Sequence, residues 1–326
     1  MKISITGATG FIGTALCNEL QLLSCEVAVL TRKEKTFLSG VTVFCGDLLS
    51  ESPSIQEFVN NSDVVIHCAG EVKNEGLMEG IHIKGTTRLL QAVGRYIRTS
   101  GKAVHWVQLS SVGAYGAANT SSFATRRLDE NSIESPMGVY ESTKTASDRL
   151  VREFAELNPL FSFTILRPTI VIGSRMPNES FHAMARMIKR GFYFRIGYGQ
   201  AMANYIDIFD VVRALVQCAT DVRARNRLFI ISNDCLLESV VEALARAVGV
   251  PTPSLAVPEG LVRFLVKGMS PWVNLPLTAN RIDALTGKTY YSSVAIKHSL
   301  SFTPLTSIPE LIPILVSESV NRLELS

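Results

Sequence analysis

The first thirteen residues, MKISITGATGFIG (Met1–Gly13), decide how the rest of the chain is read. Ile3 and Ile5 belong to a short apolar strand, glycines stand at 7, 10 and 13, and the run from Thr14 to Leu22 has a helical pattern. A strand that turns through glycines into a helix gathers unpaired backbone N–H donors and the positive end of the helix dipole at one place. That place suits an anion such as the pyrophosphate of a dinucleotide. Gly7 can take a tight turn with positive φ, Gly10 lets the backbone approach a phosphate, and Gly13 lets the helix lie close to the strand. Gly7, Thr9, Gly10, Phe11 and Ile12 are the expected contacts. The spacing is G-x-x-G-x-x-G and not G-x-G-x-x-G, so by itself the turn reads equally well as a structural one.

Apolar strand candidates recur at 2–5, 26–30, 41–44, 64–68, 103–109, 161–166 and 227–231, with helical patterns between most of them. This alternation predicts an α/β fold: a doubly wound parallel sheet of about seven strands, covered on both faces and linked by right-handed crossovers. Two segments, about 168–202 and 232–326, break the rhythm with more Pro, Gly and irregular apolar runs. The expected division is a nucleotide-binding domain from 1–167 plus about 203–231, and a smaller C-terminal substrate domain from about 168–202 and 232–326.

Composition narrows the function classes. With 326 residues, 47% of them hydrophobic, the chain can bury a large core, which excludes general disorder. A net charge of +3 without a long basic block is no footprint for nucleic acid, and Arg126-Arg127 reads as solvated surface. Cysteines 17, 25, 45, 68, 218 and 235 lie singly, so neither a metal site nor a disulfide framework is expected; they read as reduced packing residues. The chain enters its first strand without a leader pattern, and no apolar run reaches about 18 residues. The expectation is a cytoplasmic protein without stable membrane insertion.

Open α/β sheets bind ligands outside the carboxyl ends of their strands, so the residues there matter most. Strand five runs into SSVGAYG (110–116), a later helix opens with Tyr140-x-x-x-Lys144, and strand six runs through LRPTIVIG (166–173). The helix after strand four contains IHIKGTTRLL (81–90). Together with TGATGFIG (6–13), these stretches resemble the extended short-chain dehydrogenase/reductases, the superfamily of nucleotide-sugar epimerases, dehydratases and reductases. The likeness spans most of the chain, strongly to about residue 175 and loosely beyond. It implies a Rossmann-type domain and an NAD(P)-dependent enzyme acting on a small-molecule nucleotide sugar, with Ser111, Tyr140 and Lys144 as its catalytic triad.

The residues suit that chemistry. Hydride transfer between a carbinol and a nicotinamide must be matched by movement of the hydroxyl proton, and a phenol can carry it. The i, i+4 spacing puts Tyr140 and Lys144 on one helix face, where an ammonium can help bring a phenol from ~10 towards ~7, a change of ~4 kcal/mol. Ser111 would orient the same substrate oxygen. Val112-Gly113 stands where the dehydratases have an acidic pair, which disfavours dehydration, and His82 stands where the family usually has Asn, reading as a neutral packed imidazole. The resemblance puts Asp47 and Leu48 at the adenine, Cys68, Ala69 and Gly70 at the ribose, and Pro168 beside the nicotinamide. Strand two ends at Thr31, where NAD-selective members place an acid. Arg32 and Lys33 follow, two cations able to meet a 2′-phosphate, so NADP(H) is expected over NAD(H).

Further expectations are structural. Arg167 ties a strand end, Arg281 is a candidate for pyrophosphate, and Asp210 caps the helix that follows it. The stretch 261–272 reads as a core or dimer-facing helix more than a membrane-surface one. The resemblance also implies a homodimer through helices around 76–99 and 140–157, with Leu89, Leu90, Val93, Leu150 and Val151 as apolar candidates for its face. The function read is a sugar-nucleotide oxidoreductase or epimerase, either a 4-keto reductase or a 4-epimerase. Its rivals are a reductase of a small apolar carbonyl and a cofactor-sensing scaffold.

Overall fold

The computed structural model describes residues 1–23, 25–32, 40–117, 125–177, 179–269 and 278–323. Seven parallel strands form the central sheet: β1 (Lys2–Thr6), β2 (Glu26–Thr31), β3 (Val41–Cys45), β4 (Val64–His67), β5 (Val104–Leu109), β6 (Phe161–Pro168) and β7 (Arg227–Ile231). Their spatial order is β7-β6-β5-β4-β1-β2-β3, so the winding reverses between β1 and β4. Register follows from burial: Ile5 lies beside Val29 on one side and Ile66 on the other. The Rossmann-type expectation holds, with each strand found within one or two residues of its predicted range.

Alternate residues feed opposite faces. Ile3, Ile5, Val27, Val29 and Ile66 pack against α1 (Phe11–Leu22). The opposite residues, Ala28, Leu30, Val65 and Trp106, pack beneath α2 (Pro53–Val59), α3 (Thr86–Ser100) and α4 (Val139–Leu157). A second apolar cluster lies outside the sheet, joining Ile172, Phe181 and Ile188 of α5 (Glu179–Lys189) to residues further along the chain. The α1 face is completed by α6 (Ile208–Thr220), and the second cluster by Val240 and Leu244 of α7 (Leu237–Ala247). Beyond these lie α8 (Glu259–Met269), α9 (Ala279–Thr286), α10 (Val294–Leu300) and α11 (Ile308–Leu323). Ile296 and Leu300 of α10 return to the sheet core, whereas Ile308 and Ile312 of α11 close the second cluster.

Packing corrects several expectations. Leu89, Leu90, Val93 and Val151 are buried inside the α2–α3–α4 face, with Leu150 half-buried against it. They hold the subunit's own core and offer no apolar face to a partner. Asp210 does not cap α6: Asp207 holds the cap position, while Asp210 sits in the first turn, paired to Arg213 at 2.5 Å and accepting from the Leu305 N–H. Arg126 is no free surface residue, since it donates to the carbonyls of Tyr115 and Gly116. Cys45 is exposed at the end of β3, while Cys17 and Cys218 are buried as expected. In α8, Val262 is buried but Phe264 is 74% exposed; residues 270–272 of the same stretch lie outside the described residues. Among the described residues no helix is long and apolar enough to cross a membrane.

Candidate active site

The β1–α1 turn is built from backbone. Gly7 has φ +73°, and a Cβ on it would lie 2.7 Å from the Ala69 nitrogen and the Cys68 carbonyl carbon, so its bareness lets the end of β4 close against the turn. A Cβ on Gly13 would collide with the Gly7 carbonyl. Gly10 occupies the N-cap of α1, whose first turn carries no acid and, among the described residues, no side-chain cap. A Cβ there would meet only the Gly7 carbonyl oxygen, at 3.2 Å, with nothing else within 4 Å. The first turn of α1 is thus left without a side-chain acceptor and with room for an approaching group at Gly10, an arrangement that fits a dinucleotide pyrophosphate. Thr9 is exposed beside it, and Phe11 and Ile12 are half-buried.

Other expected cofactor residues stand at neighbouring strand ends. Thr31 is buried, and its carbonyl accepts from the Gly46 N–H at 2.8 Å, tying β2 to β3. Arg32 is exposed, and Lys33 lies outside the described residues. Asp47 turns its carboxylate inward to accept from the Leu49 N–H at 2.9 Å, and the Leu48 carbonyl accepts from Arg88 at 2.6 Å. Cys68 and Ala69 are half-buried, Gly70 is exposed, and burial pushes the Cys68 thiol up to about 12. Pro168 closes β6, buried beside Ile231 of β7.

At the end of β5, Ser111 caps the turn Val112–Tyr115, its Oγ accepting from the Gly113 N–H at 3.1 Å. The first turn of α4 lies against it, since a Cβ on Gly113 would come 2.7 Å from Glu141 Cγ. Lys144, only 5% exposed, donates its Nζ to the Leu109 carbonyl at 2.6 Å. Burial draws its pKa down, while Asp148 one turn on pulls it up. Tyr140 is half-buried, and its phenol is pushed up to about 12 by burial and by the charges of Glu141 and Asp148. These influences all act upward, so the downward shift expected from the ammonium is not seen in the protein alone.

Behind this face lies a charge cluster that the sequence reading missed. Fully buried Arg167 donates Nε and Nη2 to Asp148 Oδ2 at 3.2 and 2.9 Å, and Nη2 to Glu134 Oε1 at 2.6 Å. Ser110 donates to the same Asp148 oxygen at 2.7 Å, and the Tyr115 ring lies under the guanidinium at 5.0 Å. Arg167 therefore ties a strand end as expected, through carboxylates 19 and 33 residues away. Arg281 is placed apart from this constellation, at the exposed start of α9.

Residues 3–231 match the NAD dependent epimerase/dehydratase family. The chain belongs to this family. Among relatives, UDP-glucose 4-epimerase of Vibrio cholerae is 24% identical over 95% of this chain and 92% of its own length. The 2-alkyl-3-oxoalkanoate reductase of Shewanella oneidensis is 22% identical over 94% and 83%. A solved structure of MoeE5 in complex with UDP-glucose and NAD superposes with a TM-score of 0.75 at 22% identity, covering 99% of this chain and 100% of that one. In this member of the epimerase/dehydratase family the second cluster also frames a cavity of about 300 Å³, lined by Tyr193, Arg195, Tyr198, Gln200, Glu238 and Val241 among others. Its guanidinium is held, Arg195 pairing with Glu238 at 2.5 Å.

Proposed function

We propose that the chain is an NAD(P)-dependent oxidoreductase or epimerase acting on a nucleotide sugar, favoured as a 4-keto sugar-nucleotide reductase or a 4-epimerase, with Ser111, Tyr140 and Lys144 moving the proton. The observation that carries this reading is the buried Lys144 ammonium, one turn from Tyr140 on α4 and fixed at 2.6 Å by the carbonyl of Leu109, which ends β5 two residues before Ser111. The nicotinamide, when bound, supplies or receives the hydride. Tyr140 gives or takes the proton of the substrate oxygen, Ser111 hydrogen-bonds the same oxygen, and Lys144 holds positive charge against a phenolate. Exposed Arg32 after buried Thr31, which ends the strand in place of an acid, supports NADP(H) over NAD(H). The smaller domain of about 168–202 and 232–326 is the proposed substrate side, with the cavity at Tyr193, Arg195 and Glu238 within it.

A second reading, reduction of a small apolar carbonyl, draws on Met137, 75% exposed, and exposed Val139 immediately before Tyr140, and on the likeness to the oxoalkanoate reductase. Turnover of UDP-, GDP- and dTDP-sugars against that of aliphatic ketones, with NADPH and NADH, separates the two. On the substrate so found, Tyr140→Phe should lower turnover by about two to four orders of magnitude with cofactor affinity within a few-fold. Near wild-type turnover in that variant would reject the triad.

A further inference from the structure

His82, the departure from the family's usual Asn, sits in a π-helical turn, Glu79–Gly85, between the short helix Glu75–Met78 and α3. Such turns are rare and concentrate at functional sites. Two glycines seat this one on the Asp47–Leu49 turn: a Cβ on Gly80 would lie 2.8 Å from Leu49 Cδ2, and one on Gly85 would lie 3.1 Å from Leu48 Cβ. The imidazole is 1% exposed. Its Nε2 accepts from the Glu71 N–H at 2.9 Å, which is possible only for an unprotonated nitrogen. In the neutral ring the proton is therefore on Nδ1, which donates to Thr143 Oγ1 at 2.8 Å, and the Thr143 hydroxyl donates on to the Val139 carbonyl at 2.7 Å. Burial and the charge of Lys144 draw the His82 pKa down to about 4, so the neutral ring is the resident form at neutral pH.

The two ends of the ring hold different parts of the site. On the Nε2 side, Gly70 is bare enough for the ring to approach, since a Cβ there would lie 3.3 Å from Nε2. The loop beyond is wound about one carboxylate oxygen, Glu71 Oε1, which accepts from the N–H groups of Val72, Lys73 and Asn74. On the Nδ1 side, Thr143 belongs to the first turns of α4, and the ring meets Tyr140 edge to face at 5.6 Å between centroids. We propose that His82 is a positioning residue: in its Nδ1–H form it clamps the start of α4, through Thr143, to the loop Cys68–Asn74 and so sets the Tyr140 phenol. The inference rests on the reading of Tyr140 as the proton-transfer residue.

The two ends can be cut separately, because Asn reaches only the Nδ1 position and Gln only the Nε2 position. His82→Asn should keep kcat within about threefold and weaken NADP(H) binding about five- to tenfold, whereas His82→Gln and Thr143→Val should keep binding and lower kcat about ten- to a hundredfold. Imidazole ¹⁵N spectra should show the Nδ1–H tautomer in the wild type and in Tyr140→Phe. Unchanged kcat in His82→Gln and Thr143→Val, an Nε2–H tautomer, or equal losses of kcat, affinity and thermal stability in all three variants would overturn the clamp. Retained turnover in Tyr140→Phe would instead reject the proposed reaction, while the spectra and cofactor titrations would still report on the clamp.

Discussion

The glycine turn of residues 7–13 and the ion cluster behind α4 both hold the site in shape, with opposite materials. The turn is backbone against backbone, without a charge: Gly13 lies against the Gly7 carbonyl six residues before it, and Gly7 against the Cys68–Ala69 backbone at the end of β4. The cluster is side chain against side chain, with Arg167 reaching Asp148 and Glu134 across 19 and 33 residues. A backbone turn fails by steric exclusion, which no neighbouring side chain can relieve. A buried ion cluster fails by leaving charge without a partner, and part of that loss can be recovered by removing the orphaned charge.

Four measurements press on this contrast. The largest effect is expected at the turn: Gly13→Val drives a branched side chain into the Gly7 carbonyl, and its expected outcome is loss of soluble folded protein or of all measurable NADP(H) binding. Normal unfolding and binding in that variant would show that the turn has slack. Next, Arg167→Met should cost about 3–5 kcal/mol in urea unfolding because Asp148 is left buried and unpaired, and adding Asp148→Asn should return part of it. A double variant no more stable than the single would place the loss in packing.

Two smaller effects follow. His105 is buried, its Nε2 bonded to the Cys218 carbonyl at 3.0 Å, and burial draws its pKa from 6.5 to about 4. A folded value below the unfolded one means that this stability is present above pH 6.5 and is lost as pH falls towards 4. Chemical unfolding between pH 7 and 4 should show a decline on the order of 3 kcal/mol from this group, smaller in His105→Gln. An identical decline in the variant would assign it to other groups. Last, NADPH should bind about tenfold more tightly than NADH, ~1.4 kcal/mol, with most of the margin lost in Arg32→Ala. Equal wild-type affinities would break the proposed preference.

How much was legible tracks this same contrast. Each strand of the large sheet could be located from its apolar run, because a strand buried on both faces needs one whatever its neighbours are. The glycine turn, Ser111 after β5 and the pair Tyr140 and Lys144 were legible for a similar reason: each depends on spacing within a few residues. Arg126 read as surface, yet it binds two carbonyls of the turn after Ser111, because a strand at Arg126–Leu128 pairs with Thr289–Tyr291 from the far end of the chain. Leu89, Leu90, Val93 and Val151 read as an interface because an apolar helix face looks the same whether its own sheet or a second subunit covers it.

The sequence by itself determined the doubly wound sheet, the glycine turn after β1 and the order of the candidate proton-transfer residues, since these arise from local periodicity and turn chemistry. Only the tertiary structure decided what surrounds those residues. It put Lys144 on the Leu109 carbonyl, joined Arg167 to two distant carboxylates, and assigned the His82 proton by placing a backbone donor at one nitrogen and Thr143 at the other. The physical reason is that hydrogen bonds and desolvation act over a few ångströms in space. Which groups come that close is set by the packing of helix against strand, not by their separation along the chain.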